Sequence, residues 1–292
     1  MSTLYLVATP IGNLEDISAR GLRSLREVRL IAAEDTRQTA KLLQRFDIHT
    51  PCISYHEHNK LVRLERVLSA LEEGDVALVS DAGTPALNDP GYELVRTVLA
   101  AGHSVSPIPG ACAPIAALVA SGLPTDSFLY LGYLPRKHLE RQRLLAQVSS
   151  LPYTLIFLET PHRLLAALED LQAELGDRQI AVARELTKLH EEIFRGSLSD
   201  ARQHFTDLPP RGEFTLVLAG NPIQKERWSE EHLETEVQML LVSGEAASQI
   251  AAQLATPSGW SRREIYQHLL ETRPKAPHKK SRYQGKKTAR EP

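Results

Sequence analysis

Leu4-Tyr5-Leu6-Val7-Ala8, followed at once by Thr9-Pro10-Ile11-Gly12-Asn13 and then by an amphipathic run from Ser18 to Val28, decides how this chain folds. A short apolar run broken by Pro and Gly and succeeded by a helical period is strand, turn, helix. The pattern recurs. Leu30 to Ala33 is a predicted strand, a helix from about Leu61 to Glu72 leads into a strand over Val76 to Ser80, and a helix over Tyr92 to Ala101 leads into another over Ser104 to Ile108. Strands alternating with amphipathic helices predict a mostly parallel sheet.

A second α/β unit is predicted to open near Ser127 with Phe128-Leu129-Tyr130-Leu131-Gly132, a charged helix from Lys137 to Gln147 and a strand over Tyr153 to Leu158. A helix from His162 to Leu175, a strand from Gln179 to Glu185 and a final pair, Glu191 to Gly196 and Glu213 to Ala219, complete it. Only one helix separates the last two runs, which predicts more antiparallel pairing here. After Asn221-Pro222 the composition turns polar. Gly244 to Leu254 and Ser261 to Leu270 read as two short helices about a turn at Thr256-Pro257-Ser258-Gly259, and Ser261 with Glu264 three residues on is a capping-box start. Such a pair suits a helix-turn-helix that touches nucleic acid, or a plain hairpin that packs on protein. The predicted spans are 1–124 and 125–222 for the α/β domains, 223–272 for the helical unit and 273–292 for a tail.

With 292 residues, 42% of them apolar, the chain has material for two cores. No stretch approaches the ~20 apolar residues of a membrane span, and the first residues lack a basic segment followed by an apolar one, so a cytoplasmic protein is expected. Cys52 and Cys112 lie far apart without metal-ligand spacing, which suggests neither a disulfide framework nor a zinc site. The net charge of −2 hides an asymmetry: from Glu271 to Pro292, eight Lys/Arg face two Glu, giving +6 there and leaving −8 on the rest. A Pro-containing basic run cannot bury a core and is expected to be disordered when free, either as a solubilising tail or as an arm for phosphates.

Three loops concentrate Gly and Pro after predicted strands, where ligands bind in open α/β sheets. They are Thr9-Pro10-Ile11-Gly12-Asn13, the run from Ser80 to Gly91 (SDAGTPALNDPG) and Pro107-Ile108-Pro109-Gly110-Ala111-Cys112-Ala113. Proline holds such loops in one shape and glycine lets backbone approach a ligand, so together they predict a preformed cleft. Neither GxxxxGK[ST] nor GxGxxG is present, which argues against ATP and NAD. Asp81 and Asp89, without a His or Glu companion, are a weak metal set and are read as holding loop backbone and a cofactor's polar groups.

The sequences VATPIGNLEDIS (7–18), AAEDTR (32–37), SDAGTPALNDPG (80–91), PIPGACAPIAALVASGLP (107–124), GYLPR (132–136), ETPHR (159–163), ARELTKLHEEIFRGSL (183–198) and RGEFTLVLAG (211–220) carry a resemblance. They are similar, nearly without break over residues 3–222, to the rRNA small subunit methyltransferase I family of the tetrapyrrole methylase superfamily. The helical unit resembles that family's C-terminal helix-turn-helix. The resemblance implies an S-adenosylmethionine-dependent enzyme that methylates the ribose 2′-hydroxyl of a cytidine in the decoding region of 16S rRNA. It also implies a homodimer, with the cofactor between two α/β domains. By the same resemblance the cofactor-binding residues are Pro10, Gly12, Asp81, Gly83, Thr84, Ala86, Gly110, Ala111 and Cys112, joined from the second domain by Leu134, Thr160, Leu186 and Phe214. Cys112 stands where the wider superfamily more often has Ser or Thr.

Methyl transfer gains much of its rate from alignment, worth roughly 7–11 kcal/mol in well-oriented systems, and needs no metal. A ribose hydroxyl is a poor nucleophile that benefits from a proton acceptor. Candidates for the catalytic set are Asp35, Glu159, Glu185 and Lys188, with His162 beside them, and Arg37, Arg163, Arg184 and Lys188 are candidates to hold flanking phosphates. For each, an ordinary ion pair between loops is the competing reading. Two other functions are open to the same residues: methylation of a tetrapyrrole carbon, which wants a wide apolar trough, and a non-catalytic RNA-binding assembly factor.

Overall fold

The computed structural model describes residues 2–56, 60–222 and 227–272. The described residues up to 222 form one compact unit and residues 227–272 a second.

The first unit holds two five-stranded sheets. In the first, β1 (Thr3–Val7), β2 (Leu30–Ala33), β3 (Cys52–Ser54), β4 (Val76–Val79) and β5 (Ser104–Ile108) lie in the order β3-β2-β4-β1-β5, with every neighbouring pair parallel. Every residue of β2 and β4 is buried, as expected of strands covered on both faces. One face packs on α1 (Ala19–Glu27) and α2 (Thr36–Arg45) through Leu25, Leu42 and Leu43. The other packs on α3 (Lys60–Glu73) and α4 (Tyr92–Ala100) through Val67, Leu71, Leu94 and Val98. The strand order has a direct consequence. The three Gly/Pro loops follow β4, β1 and β5, which are adjacent parallel strands, so the loops stand side by side at one edge of the sheet.

The second sheet is mixed: β6 (Phe128–Tyr133), β7 (Thr154–Glu159), β8 (Gln179–Arg184), β9 (Glu192–Ser197) and β10 (Phe214–Leu218) lie in the order β6-β7-β10-β8-β9. Only β6 and β7 are parallel. The last two runs of the sequence do not pair with each other: β9 takes the edge beside β8, and the wholly buried β10 enters between β7 and β8. The reason is hydrophobicity, since β10 is apolar enough for a central position and β9, with Glu192 and Arg195, is not. Helices α6 (His138–Val148), α7 (Leu164–Leu175) and α8 (Leu198–Asp207) cover one face through Leu145, Leu168, Leu171 and Phe205. On the other face lies α5 (Ala113–Ser121), whose Ala117 and Leu118 meet Ile156, Ala181 and Val217. Because α5 issues from β5, it fastens the second sheet to the first.

In the second unit α9 (Glu230–Val242), α10 (Ala247–Ser258) and α11 (Arg262–Thr272) enclose Leu233, Val237, Ile250, Leu254, Ile265 and Leu269. The Trp260 indole donates to the Trp228 carbonyl at 2.9 Å. Helix α10 runs through Pro257, so the turn comes at Gly259 (φ 70°), later than the sequence pattern places it. A proline near the end of a helix forfeits one backbone donor only, and here the Ser258 hydroxyl donates back to the Leu254 carbonyl at 2.6 Å. The basic tail at 273–292 lies outside the described residues.

Phe205 is fully buried and packs edge-on against Phe214, ring centres 5.6 Å apart. Phe205→Ala should lower unfolding stability by about 3–5 kcal/mol, a loss that urea denaturation followed by circular dichroism will measure.

Candidate functional site

Backbone hydrogen bonds lace the three loops together. Thr9 and Gly83 exchange a pair, N to O, at 2.9 and 3.0 Å, and the Thr9 hydroxyl donates to the Ser80 carbonyl at 3.1 Å. The Thr84 hydroxyl donates to the Ala111 carbonyl at 3.1 Å. In front of them opens a cavity of about 250 Å³. One wall is made by the first-sheet loops, with Asp81, Gly83, Thr84, Leu87, Asp89 and Cys112, and the other by second-sheet residues, among them Tyr130, Tyr133, Leu158, Glu159, Leu186 and Phe214.

Two glycines allow the walls to close. A Cβ on Gly12 would stand 2.5 Å from Lys188 Cγ and 2.9 Å from the Leu186 carbonyl oxygen. One on Gly132, whose φ is +65°, would stand 2.4 Å from the Asn88 amide nitrogen. Each sheet thus supplies one bare position against which the other's loop rests. The loops that rest there are bent: among the described residues Ala86, Asn88, Glu185 and Thr187 all have positive φ, an arrangement that costs energy unless contacts enforce it. Thr187 is held by its hydroxyl, which accepts from the Asn13 backbone N–H at 3.0 Å.

The cavity is acidic on its first-sheet side. Glu34, Asp81 and Asp89 face it, and burial pushes each above the usual carboxylate range. Asp89 is pushed up to about 6 by burial and then by the negative charge of Glu34. The Tyr130 hydroxyl is buried in the opposite wall without a hydrogen-bond partner among the described residues, and burial pushes it up to about 12, keeping it a neutral donor. A ligand with a positive centre, acceptor atoms and an apolar body fits such surroundings.

Of the thirteen residues expected to bind a cofactor, Asp81, Gly83, Thr84, Cys112, Leu186 and Phe214 line this cavity. Pro10 and Gly12 line a neighbouring cavity of about 270 Å³, and Thr160 a third hollow with Arg136 and Arg163. Ala86, Gly110, Ala111 and Leu134 line none of these, and Leu134 is core. Of the four residues in the expected catalytic set, Glu159 lines the first cavity, where its carboxylate is fully buried, accepts from the Thr160 N–H at 2.8 Å and meets Arg163 at 3.2 Å. Asp35 caps α2 and is bound by Arg37, whose hydrogen bonds hold its carboxyl down to about 2. Glu185 and Lys188 pair with each other at 2.9 Å, and Lys188 also meets Glu213 at 3.0 Å. Sequence reasoning left out Glu34, Tyr130, Tyr133 and Glu213. Glu34 sits one residue from a chosen candidate, and the tyrosines lie in a run read only as a strand.

Comparison with known proteins bears on this geometry. The sequence profile of the Tetrapyrrole (Corrin/Porphyrin) Methylases matches residues 3–202. Ribosomal RNA small subunit methyltransferase I of Synechocystis sp. is 52% identical over 93% of this chain and 98% of its own length. The protein of that name in Escherichia coli O157:H7 is 45% identical over 92% of this chain and 94% of its own length. Among solved structures, uroporphyrin-III-C-methyltransferase from Thermus thermophilus superposes with a TM-score of 0.51 at 19% identity, covering 74% of this chain and 94% of that one. The methyltransferase CobJ does so with a TM-score of 0.55 at 21% identity, covering 75% and 95%. These two likenesses concern the fold alone.

The raised Asp89 makes a thermodynamic prediction. Its folded value of about 6 lies above the ordinary 3.8, so the folded state binds the proton more tightly, and stability falls as pH rises between those values. Asp89→Asn removes that penalty. Melting temperatures of the two proteins should agree near pH 4, separate in the variant's favour up to about pH 6, and keep a constant gap above it.

Proposed function

Because the chain belongs to the tetrapyrrole methylase family, in its ribosomal RNA small subunit methyltransferase I branch, we propose that it methylates the ribose 2′-hydroxyl of a cytidine in the decoding region of 16S rRNA. The observation that carries this reading is one of identity: relatives named for ribosomal RNA are 52% and 45% identical over more than nine-tenths of the chain, whereas the solved tetrapyrrole methyltransferases share only 19% and 21% of their residues with it. In this reading the working form is a cytoplasmic homodimer that meets the rRNA within the small ribosomal subunit; no helix among the described residues is long and apolar enough to cross a membrane.

The methyl donor is S-adenosylmethionine, and the first cavity suits it. Glu34, Asp81 and Asp89 would favour its positive charge, Leu158, Leu186 and Phe214 offer apolar surface, and the Tyr130 hydroxyl is a buried donor with no acceptor among the described residues. Bound there, S-adenosylmethionine would supply an electrophilic methyl group, leaving as the neutral thioether, and the accepting hydroxyl would have to give up its proton. Among the carboxylates Asp89, at about 6, is matched to take that proton near neutrality, whereas Asp35, at about 2, is not. In this reading Glu159, locked by Arg163 and the Thr160 N–H, fixes the loop over the cavity, and the Glu185–Lys188 pair keeps the bent loop at 185–188 against Gly12.

The test is transfer of a radiolabelled methyl group from S-adenosylmethionine to small ribosomal subunits from cells lacking this gene, with wild type beside Asp81→Ala. We expect alkali-resistant label at one cytidine, and cofactor affinity weakened about tenfold or more in the variant, the scale of a lost hydrogen bond to a charged group. Absence of label on subunits and on naked rRNA, with cofactor still bound, defeats the assignment and directs attention to small-molecule acceptors.

A further inference from the structure

We propose that the second cavity, beside the first, is the acceptor subsite, where Lys41 and Gln38 on α2 grip the sugar-phosphate strand flanking the target nucleotide; this rests on the nucleic-acid acceptor of the preceding reading. The cavity measures about 270 Å³ and is lined by Pro10, Gly12, Leu14, Gln38, Lys41 and Lys188 among others. It adjoins the first through shared walls at Ile11, Asp81, Ala82 and Glu213. Two ligands seated in the two cavities would therefore meet across Asp81 and Ala82, the geometry that a transfer between them needs.

Charge decides which ligand takes which cavity. The first is walled by Glu34, Asp81, Asp89, Glu159 and Glu213 without a lysine or arginine and repels a phosphodiester, but the second, which shares Asp81 and Glu213, sets Lys188 and Lys41 against them. Among the described residues no carboxylate lies within ion-pair distance of the Lys41 ammonium; it donates to the Gln38 amide oxygen at 2.8 Å, and Asp35, itself held by Arg37, feels its charge only as a minor influence. The other lysine there, Lys188, is already occupied by Glu185 and Glu213, so its part is positional: it draws the Glu213 carboxylate aside from the strand's path. Leu14, 42% exposed at the rim, offers apolar surface for a sugar or base. An exposed lysine with an amide beside it reads backbone, not sequence.

The experiment measures binding of a single-stranded RNA oligonucleotide carrying the decoding-region sequence to the full-length protein without cofactor, by fluorescence anisotropy over a series of salt concentrations. Lys41→Ala and Gln38→Ala are compared with wild type and with Lys137→Ala, an exposed lysine paired to Glu140 and away from both cavities. Lys41→Ala should raise the RNA Kd about tenfold and flatten the slope of log Kd against log salt by about one phosphate contact. Lys137→Ala should do neither, and the Kd for S-adenosylmethionine should stay at the wild-type value in all three. Unchanged RNA binding in Lys41→Ala overturns the proposal, as does an equal loss in Lys137→Ala, which would mean diffuse attraction. A weakened cofactor Kd in Lys41→Ala also overturns it, by placing the donor in this cavity. If wild type binds RNA but transfers no label, it is the methylation reading that fails.

Discussion

The close approach of backbone at Gly12 and Gly132 is the constraint on which the rest depends. Each lets a loop of one sheet lie against the other sheet at a distance no side chain would permit, and the space left between is the cavity. The bent residues that reach across, Asn88 onto Gly132 and Thr187 beside Gly12, sit in left-handed conformations that a free loop would abandon. Strain of order 1–3 kcal/mol at each such residue persists only because neighbouring contacts overdetermine it. The two-sheet core supplies those contacts, with α5 as the rigid member between. A cavity built this way is preformed, so a ligand entering it need not order the loops.

Electrostatics then divides the labour. Burial raises the proton affinity of the three carboxylates on one wall, and with the donor in the proposed cavity their negative charge would favour a sulfonium over the uncharged thioether it becomes. The same surface that draws the donor in therefore weakens its hold once the methyl group has gone. In the proposed arrangement phosphates, repelled from that wall, meet Lys41 next door, whose ammonium has no carboxylate within ion-pair distance among the described residues.

Much of this was legible in the sequence, for identifiable reasons. Apolar runs ended by Gly and Pro located β1, β4 and β5 and the loops after them, because strand termination is a local property. Helix α2 was not seen, since TRQTAKLLQR buries only Thr39, Leu42 and Leu43 and its start is marked by a single capping Asp35. Strand β3 is three residues long, too short for a period to show. The place of β10 inside the second sheet is a matter of strand order, which no local pattern carries. Among site residues, the cofactor loops came from their Gly/Pro content and the family resemblance. Glu34, Tyr130 and Tyr133 were missed because their role depends on which sheet faces which. For Asp35 and Glu185 the sequence leaves a base and an ion-pair partner both open, and in space they are tied to Arg37 and Lys188.

The late position of β10 has a consequence for the chain as it is made. Strands β7 and β8 pair with each other only through β10, so after residue 184 has left the ribosome both carry an open edge until residue 218 follows. At about 5–20 residues per second that interval is on the order of 2–7 s, long compared with hairpin formation. During it the apolar residues of two nearly finished strands are available to any nascent neighbour. Demand for a holding chaperone should therefore concentrate on this window of translation, and codons that hasten the stretch between 185 and 218 would shorten it.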